Sequence, residues 1–278
     1  MQSVLDAEGY VSRSQKYVGF DYKVKNHIAR FAGSNNLVKN LGKEVDGTKL
    51  KDKWFPVDEI RDNFDIFISH SHMDLASQNT ISLFASWLYD NYGLRCFIDS
   101  YYWKYADELT RMLLDAYGNP HKVGKSTSYS YKSAKFLISV VDILLANALE
   151  EMISNVDMVL FVDSDNSLVY HKGANGSISD KTPSPWIYHE INFINNTKGE
   201  APAYYNRWLK NKGKTSKLKL FSEGAKFLFK VDTDKFFSLS YDDFLSLNGE
   251  GRDALCDFFD MYDENELNSN LDVYSLND

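Results

Sequence analysis

FDIFISHSHMD, residues 64–74, decides how the rest of the chain is read. Its first half, Phe64 to Ser69, is a nearly continuous apolar run rich in Ile and Phe, the pattern of a strand buried on both faces of a parallel sheet. Its second half is polar and turns. Beyond it Ile81, Phe84, Ala85, Leu88 and Tyr89 recur at i, i+3, i+4, i+7 and i+8, one face of a helix. Gly93 is placed to end that helix, because glycine takes the left-handed conformation of a helix C-terminus without strain. LRCFID (94–99) then reads as a second apolar strand, ending on Asp99. Strand, helix and strand in about 35 residues make a βαβ unit.

Further along, YYWKYADELTRMLLDAYG (101–118) has helical spacing and NPHKVGKSTSYSYK (119–132) reads as a polar loop, together an insertion at about 101–132. From Ser133 through FLISVVDILLANALEEMI the apolar coverage is wide enough to imply a helix buried on most sides. VDMVLFVDS (156–164) gives a third strand, WIYHEINFI (186–194) a short helix and KFLFKV (226–231) a fourth strand, with a fifth expected within 201–225. Alternating strands and helices with continuous apolar strands predict an α/β fold, a parallel sheet with helices on both faces. In residues 1–60, NHIARFAG (26–33) is a short amphipathic segment and GTKLKDKWFPVDE (47–59) an irregular connector. GEGRDALCDFFDMYDENEL (249–267) has the look of an acidic helix. The expected organisation is an N-terminal extension over 1–60, the sheet domain over 61–235 and an acidic helical C-terminal extension over 236–278.

The 278 residues include 18 Phe, 18 Tyr and 5 Trp, enough apolar surface to exclude disorder over the whole length. The formal charge of −8 argues against a surface that tracks nucleic acid or anionic lipid throughout. That charge is unevenly spread. Residues 241–278 hold 11 Asp and Glu against the single Arg252, which leaves +2 over residues 1–240. Just before the acidic end, residues 201–240 carry 9 Lys and Arg against 3 acids. The acidic end is expected to pack on those lysines or to meet a partner. Cys96 and Cys256 belong to no metal or disulfide pattern, and no leader or 18-residue apolar stretch is visible. The expectation is a soluble, cytoplasmic protein without a membrane segment.

In open parallel sheets ligands bind beyond the carboxyl ends of the strands. Those ends offer Ser69, His70 and Ser71 after the first strand, Asp99 after the second, Asp163 and Ser164 after the third, and SPWIYHE (184–190) at the next helix. The glycine-rich phosphate loops GxGxxG and GxxxxGK[ST] are both missing, which disfavours a dinucleotide fold or a P-loop enzyme.

FDIFISHSHMD resembles the opening strand of a TIR (Toll/interleukin-1 receptor) domain, whose bacterial members commonly read D-[VI]-F-[IL]-S-[YH]-[SA]-x-x-D. LFASWLYDNYGLRCFID (83–99) resembles the family's helix, glycine and second strand ending in Asp. ANALEEMISNVDMVLFVDSDNS (146–167) resembles its next helix and strand, and SPWIYHE matches S-x-W-x-x-x-E. The resemblance covers roughly residues 62–235. It departs at Ala106, where the family usually carries Gly, and in a longer connection after Asp99.

The resemblance implies a flavodoxin-like sheet and cleavage of NAD+ between nicotinamide and ribose, with NAD+ as substrate and no cofactor or metal. By motif position Glu190 is the catalytic carboxylate and Trp186, four residues earlier, the wall beside it. Ser69, His70, Ser71, Asp99, Trp103, Ser164 and Ser184 are the substrate-binding candidates. The implied product is ADP-ribose or a cyclic ADP-ribose-type signal, sensed by a separate effector in anti-phage defence of the Thoeris kind. Self-association through the TIR domain is implied as well.

Each residue also has a plainer reading. A helix glutamate is usually solvated. Trp186 is otherwise a core aromatic, and Asp99 and Asp74 either cap and order turns or touch ligand. Tyr101, Tyr102 and Trp103 either stack on adenine or nicotinamide or pack under the inserted helix. His70 and His72 form an H-x-H pair without a third metal ligand fixed by spacing. RWLKNKGKTSKLK (207–219) is the one basic stretch resembling a nucleic-acid footprint, and its low aromatic content disfavours that partner. The alternative to an enzyme is a non-catalytic TIR interaction module.

Overall fold

Three parallel strands organise the molecule in the order β2–β1–β5, with β1 (Ile66–Ser69) central, β2 (Cys96–Phe97) on one side and β5 (Met158–Phe161) on the other. The computed structural model describes residues 5, 9–32, 44–71, 75–103, 106–162, 164, 167–172, 178–196, 203–211, 239 and 241–261. Ile66 pairs with both Cys96 and Met158, and Ser69 pairs with Phe161 at the carboxyl end.

Alternation along β1 divides the core. Ile66 and Ile68 face a cluster built by helix α4 (Leu75–Tyr92) through Ile81, Phe84, Ala85 and Leu88. Phe67 faces the opposite cluster, built by helices α1 (Gln15–Ala32), α2 (Gly47–Trp54), α3 (Val57–Ile60), α6 (Ala106–Tyr117) and α7 (Tyr131–Asn155). The expected α/β fold, with helices on both faces of the parallel sheet, is the fold observed. Gly93 ends α4 at φ +64°, its N–H donating to the Tyr89 carbonyl at 2.9 Å.

Several segments differ from the sequence expectation. The connector over 47–59 is helical: Asp46 caps α2 by accepting the Thr48 and Lys49 N–H groups, and Leu50 and Trp54, one turn apart, enter the core. In α1, Tyr17, Val24 and Ile28 are buried, so the helices over 15–32 and 47–60 share the core of the sheet. The inserted helix is two pieces, α5 (Asp99–Tyr102) and α6, and the polar loop holds an antiparallel hairpin, β3 (His121–Val123) with β4 (Ser126–Ser128). A second hairpin, β6 (Val169–Lys172) with β7 (Ile178–Lys181), follows β5. Helix α8 (Pro185–Asn196) carries the SPWIYHE motif. Within 201–225 the described residues form helix α9 (Ala203–Asn211) and no strand, while the expected strand over 226–231 lies outside the described residues.

The C-terminal end closes on the sheet through aromatic contacts. Helix α10 (Tyr241–Leu245) and helix α11 (residues 252–261) place Phe244, Leu255 and Phe258 against Phe84 and Trp87 of α4. The Gly251 N–H and the Tyr92 hydroxyl tie α4 to this end, donating to the Tyr92 and Phe244 carbonyls at 2.6 Å each. Tyr205 of α9 packs on Cys256 and Phe259, and Arg252 lies over the Tyr204 ring. Aromatic packing is thus what joins α11 to the 203–211 stretch in the described part. Among the described residues no helix is long and apolar enough to cross a membrane.

Candidate active site

Helix α8 is aimed by its first turn. Ser184 is the N-cap: its Oγ accepts the Ile187 N–H at 3.3 Å and its carbonyl accepts the Tyr188 N–H at 3.0 Å. Pro185 stands at the first helical position, where its missing N–H costs nothing. The Ser184 N–H donates in turn to Oγ1 of the buried Thr182. Ile187 and Ile191 then fix the buried face against Leu168 and Phe161.

Glu190 lies on that same inward face and is 3% exposed. A buried carboxylate is costly unless it is hydrogen-bonded. Here Ser69 Oγ donates to Glu190 Oε2 at 2.5 Å. Ser69 is the last residue of β1, buried and held by the ladder to β5: it pairs with Phe161 and its carbonyl accepts the Val162 N–H at 2.9 Å. The motif at the end of the first strand and the motif on α8, 121 positions apart, therefore meet through one hydroxyl and one carboxylate.

The next residue serves the neighbouring strand end. His70 is buried, with Nε2 hydrogen-bonded to Ser100 Oγ at 3.0 Å and Nδ1 3.7 Å from Asp99 Oδ1. Nδ1 also lies 3.5 Å from the Ile68 carbonyl. Asp99, the first residue of α5, is buried, and so is Ser71.

No protein-family model, curated protein or solved structure matches this chain.

The remaining candidates fall on either side of this cluster. Ser164 shapes the turn after β5: its N–H donates to Ser167 Oγ at 2.6 Å and its carbonyl accepts the Ser167 and Leu168 N–H groups. Trp186 is half-buried against the core cluster that contains α7. Trp103 is not brought to the site. Its ring is buried edge-on to Phe55 and Phe97, and Tyr102 stacks on Phe97 while its hydroxyl donates to Asp21 at 3.1 Å. The aromatic run after Asp99 thus packs α5 onto α1. Asp74, His72 and Asp163 lie outside the described residues.

Sequence reasoning missed Ser100 and Thr182, although each lies close to a residue it had singled out: Ser100 follows Asp99, and Thr182 stands two positions before Ser184, the first residue of SPWIYHE. Among the described residues no group of three or more His, Cys, Asp or Glu could hold a metal. What the cluster offers is a buried carboxylate, the Ser69 hydroxyl beside it and an imidazole on the residue after Ser69. Such a carboxylate can accept a hydrogen bond from a substrate hydroxyl or face a developing positive charge.

Proposed function

We propose that the chain is a TIR-type NAD+ nucleosidase on a flavodoxin-like fold, acting in the cytoplasm. The observation that carries this reading is the buried Glu190 carboxylate held by Ser69 at the carboxyl edge of the central strand. It joins the two sequence motifs of the resemblance at the edge where open parallel sheets bind ligands.

In the proposed reaction the C1′–N bond between ribose and nicotinamide breaks, and the bonding pair leaves with nicotinamide as a neutral amide. The ribose carbon becomes oxocarbenium-like, and the Glu190 carboxylate stabilises it or holds a ribose hydroxyl. Water adding at that carbon gives ADP-ribose and releases one proton. A nucleophile from the same ADP-ribosyl group gives a cyclic product instead. Ser69 fixes the carboxylate, and Trp186 flanks it one turn earlier. A product of this kind suits a signal read by a separate effector in anti-phage defence.

The test is to incubate the full chain and a Glu190→Gln variant with NAD+, following nicotinamide release and product mass. The expected result is a loss of about 10³-fold in the variant. Undiminished turnover by the variant overturns the role of Glu190. Absence of turnover by the unaltered chain, alone and after addition of lysate from phage-infected cells, overturns the enzyme reading and leaves the interaction module.

A further inference from the structure

Helix α7 does not bury what its sequence asks it to bury. Its 25 residues span about 37 Å at 1.5 Å per residue. Leu137, Val141, Leu144 and Ala148 form the inward stripe against the core. On the outward side of the first half, Phe136 is 67% and Ile143 60% exposed, and Tyr131 and Ile138 are exposed at one edge. Phe136 and Ile143 are seven residues apart, two turns, and so share one face. Large apolar side chains grouped on one exposed face mark an interaction surface.

The charges beside that stripe say what covers it. Lys135 and Asp142 are also seven residues apart, along one flank of Phe136 and Ile143. Among the described residues neither has an ion-pair partner, and at two turns' separation they do not reach each other. Burial raises the Asp142 carboxyl above its usual range. Ser139 lies midway between Phe136 and Ile143 and between Lys135 and Asp142, to within one residue. Its hydroxyl donates to the Lys135 carbonyl at 3.0 Å, so it is satisfied within its own helix and leaves a small, flat surface at the centre.

This arrangement is self-complementary. A two-fold axis at Ser139 turns one copy of the helix antiparallel to the other and keeps each flank beside its own equivalent. Lys135 then stands opposite the partner's Asp142, and Phe136 opposite the partner's Ile143, each within about one helical residue, 1.5 Å, of direct register. We propose that the 131–147 half of α7 is the contact surface of a symmetric dimer of this chain, packed antiparallel about Ser139. A single helix pair falls below the roughly 1,200 Å² of a standard interface, so the dimer is weak and concentration-dependent.

The experiment is sedimentation velocity on the full chain from micromolar to millimolar concentration. The unaltered chain is expected to pass from monomer to dimer across that range. Phe136→Ser with Ile143→Ser removes only exposed side chains; it is expected to weaken the dimer about tenfold or more while leaving the circular dichroism spectrum and melting midpoint in place. Lys135→Glu and Asp142→Lys each weaken the dimer when alone. Mixed together, these two single variants associate again, because both cross-axis contacts then join opposite charges. Only a contact between copies of the same helix gives that rescue. A chain that stays monomeric throughout, a dimer that survives the double serine variant, or a mixture that fails to associate overturns the proposal. A different protein or another segment of this chain on the patch produces the first or the last of these results.

Discussion

The two ends of strand β1 hold buried carboxylates in opposite ways. At the amino end Asp65 meets a guanidinium: Oδ1 accepts Arg95 Nη2 at 2.6 Å, and Oδ2 accepts Arg95 Nε and the Arg95 backbone N–H at 2.9 Å each. This bidentate pair ties β1 to the start of β2, whose Arg95 carbonyl accepts the Asp65 and Ile66 N–H groups. At the carboxyl end, four residues and about 13 Å away, Glu190 meets the hydroxyl of Ser69. A carboxylate matched to a guanidinium is spent on register. A serine hydroxyl brings no formal charge to the carboxylate it holds, and that difference separates a structural carboxylate from a candidate catalytic one.

The comparison fails if the two carboxylates respond alike to removal. Glu190→Gln, with the largest expected effect, should remove NAD+ cleavage while the urea midpoint holds or rises, because an amide of the same shape replaces a buried charge. Asp65→Ala should do the reverse. We expect a stability loss of about 2–3 kcal/mol with kcat retained, smaller than for a fully buried pair because the Arg95 side chain is 36% exposed. Ser69→Ala sharpens the contrast further. Losing a hydrogen bond to a charged group, worth about 1.5–3 kcal/mol, should cut kcat about 10- to 100-fold if it acts in the transition state. A urea midpoint that falls instead, with kcat intact, would make Ser69 a mere packing partner.

The same two ends differ in how far the sequence exposed them. The carboxyl end was legible because strands β1 and β5 are continuous apolar runs that stop on small polar residues, and because α8 opens with a serine cap followed by proline. Those are local signals, and they place Ser69, His70 and Asp99 at neighbouring strand ends and SPWIYHE at the start of a helix, while Glu190 itself is singled out only by the resemblance to S-x-W-x-x-x-E. The helices over 15–60 were not legible for a physical reason. In α1 a buried Asp21 interrupts the apolar stripe between Tyr17 and Val24, and it is accommodated by Lys25 at 2.8 Å, Arg13 at 3.6 Å and the Tyr102 hydroxyl, the last 81 positions distant. Helix α2 buries just Leu50 and Trp54, two residues in eight, too few to set a period. The hairpin β3–β4 is largely exposed and has no apolar alternation to read. Trp103 misled because an aromatic run beside a strand end looks alike whether it faces ligand or, as here, Phe55 and Phe97.

The smallest effect tests whether the amino end is truly balanced by charge. Asp157, whose N–H donates to the Asp65 carbonyl at 2.9 Å, sits beside the Asp65–Arg95 pair at the start of β5. Burial raises its carboxyl above the usual range, and the negative charge of Asp65 adds to this, while Arg252 and Arg95 oppose it. A carboxyl whose folded value is raised binds its proton more tightly in the folded state. Its stabilising contribution is complete below the unfolded value, about 3.9, and is lost as pH rises through the folded value. Asp157→Asn removes that loss. The variant should therefore be slightly more stable than the unaltered chain at pH 7, and the gain should shrink toward zero as pH falls to about 4. Urea midpoints of the two chains across this range give the difference directly. Asp46 titrates with the opposite sign, since the N–H of Lys49 and neighbouring bonds hold its carboxyl below the usual range, but it is common to both chains and cancels. A gain that does not change with pH would assign the effect of Asp157 to packing, and Arg95 would then serve Asp65 alone.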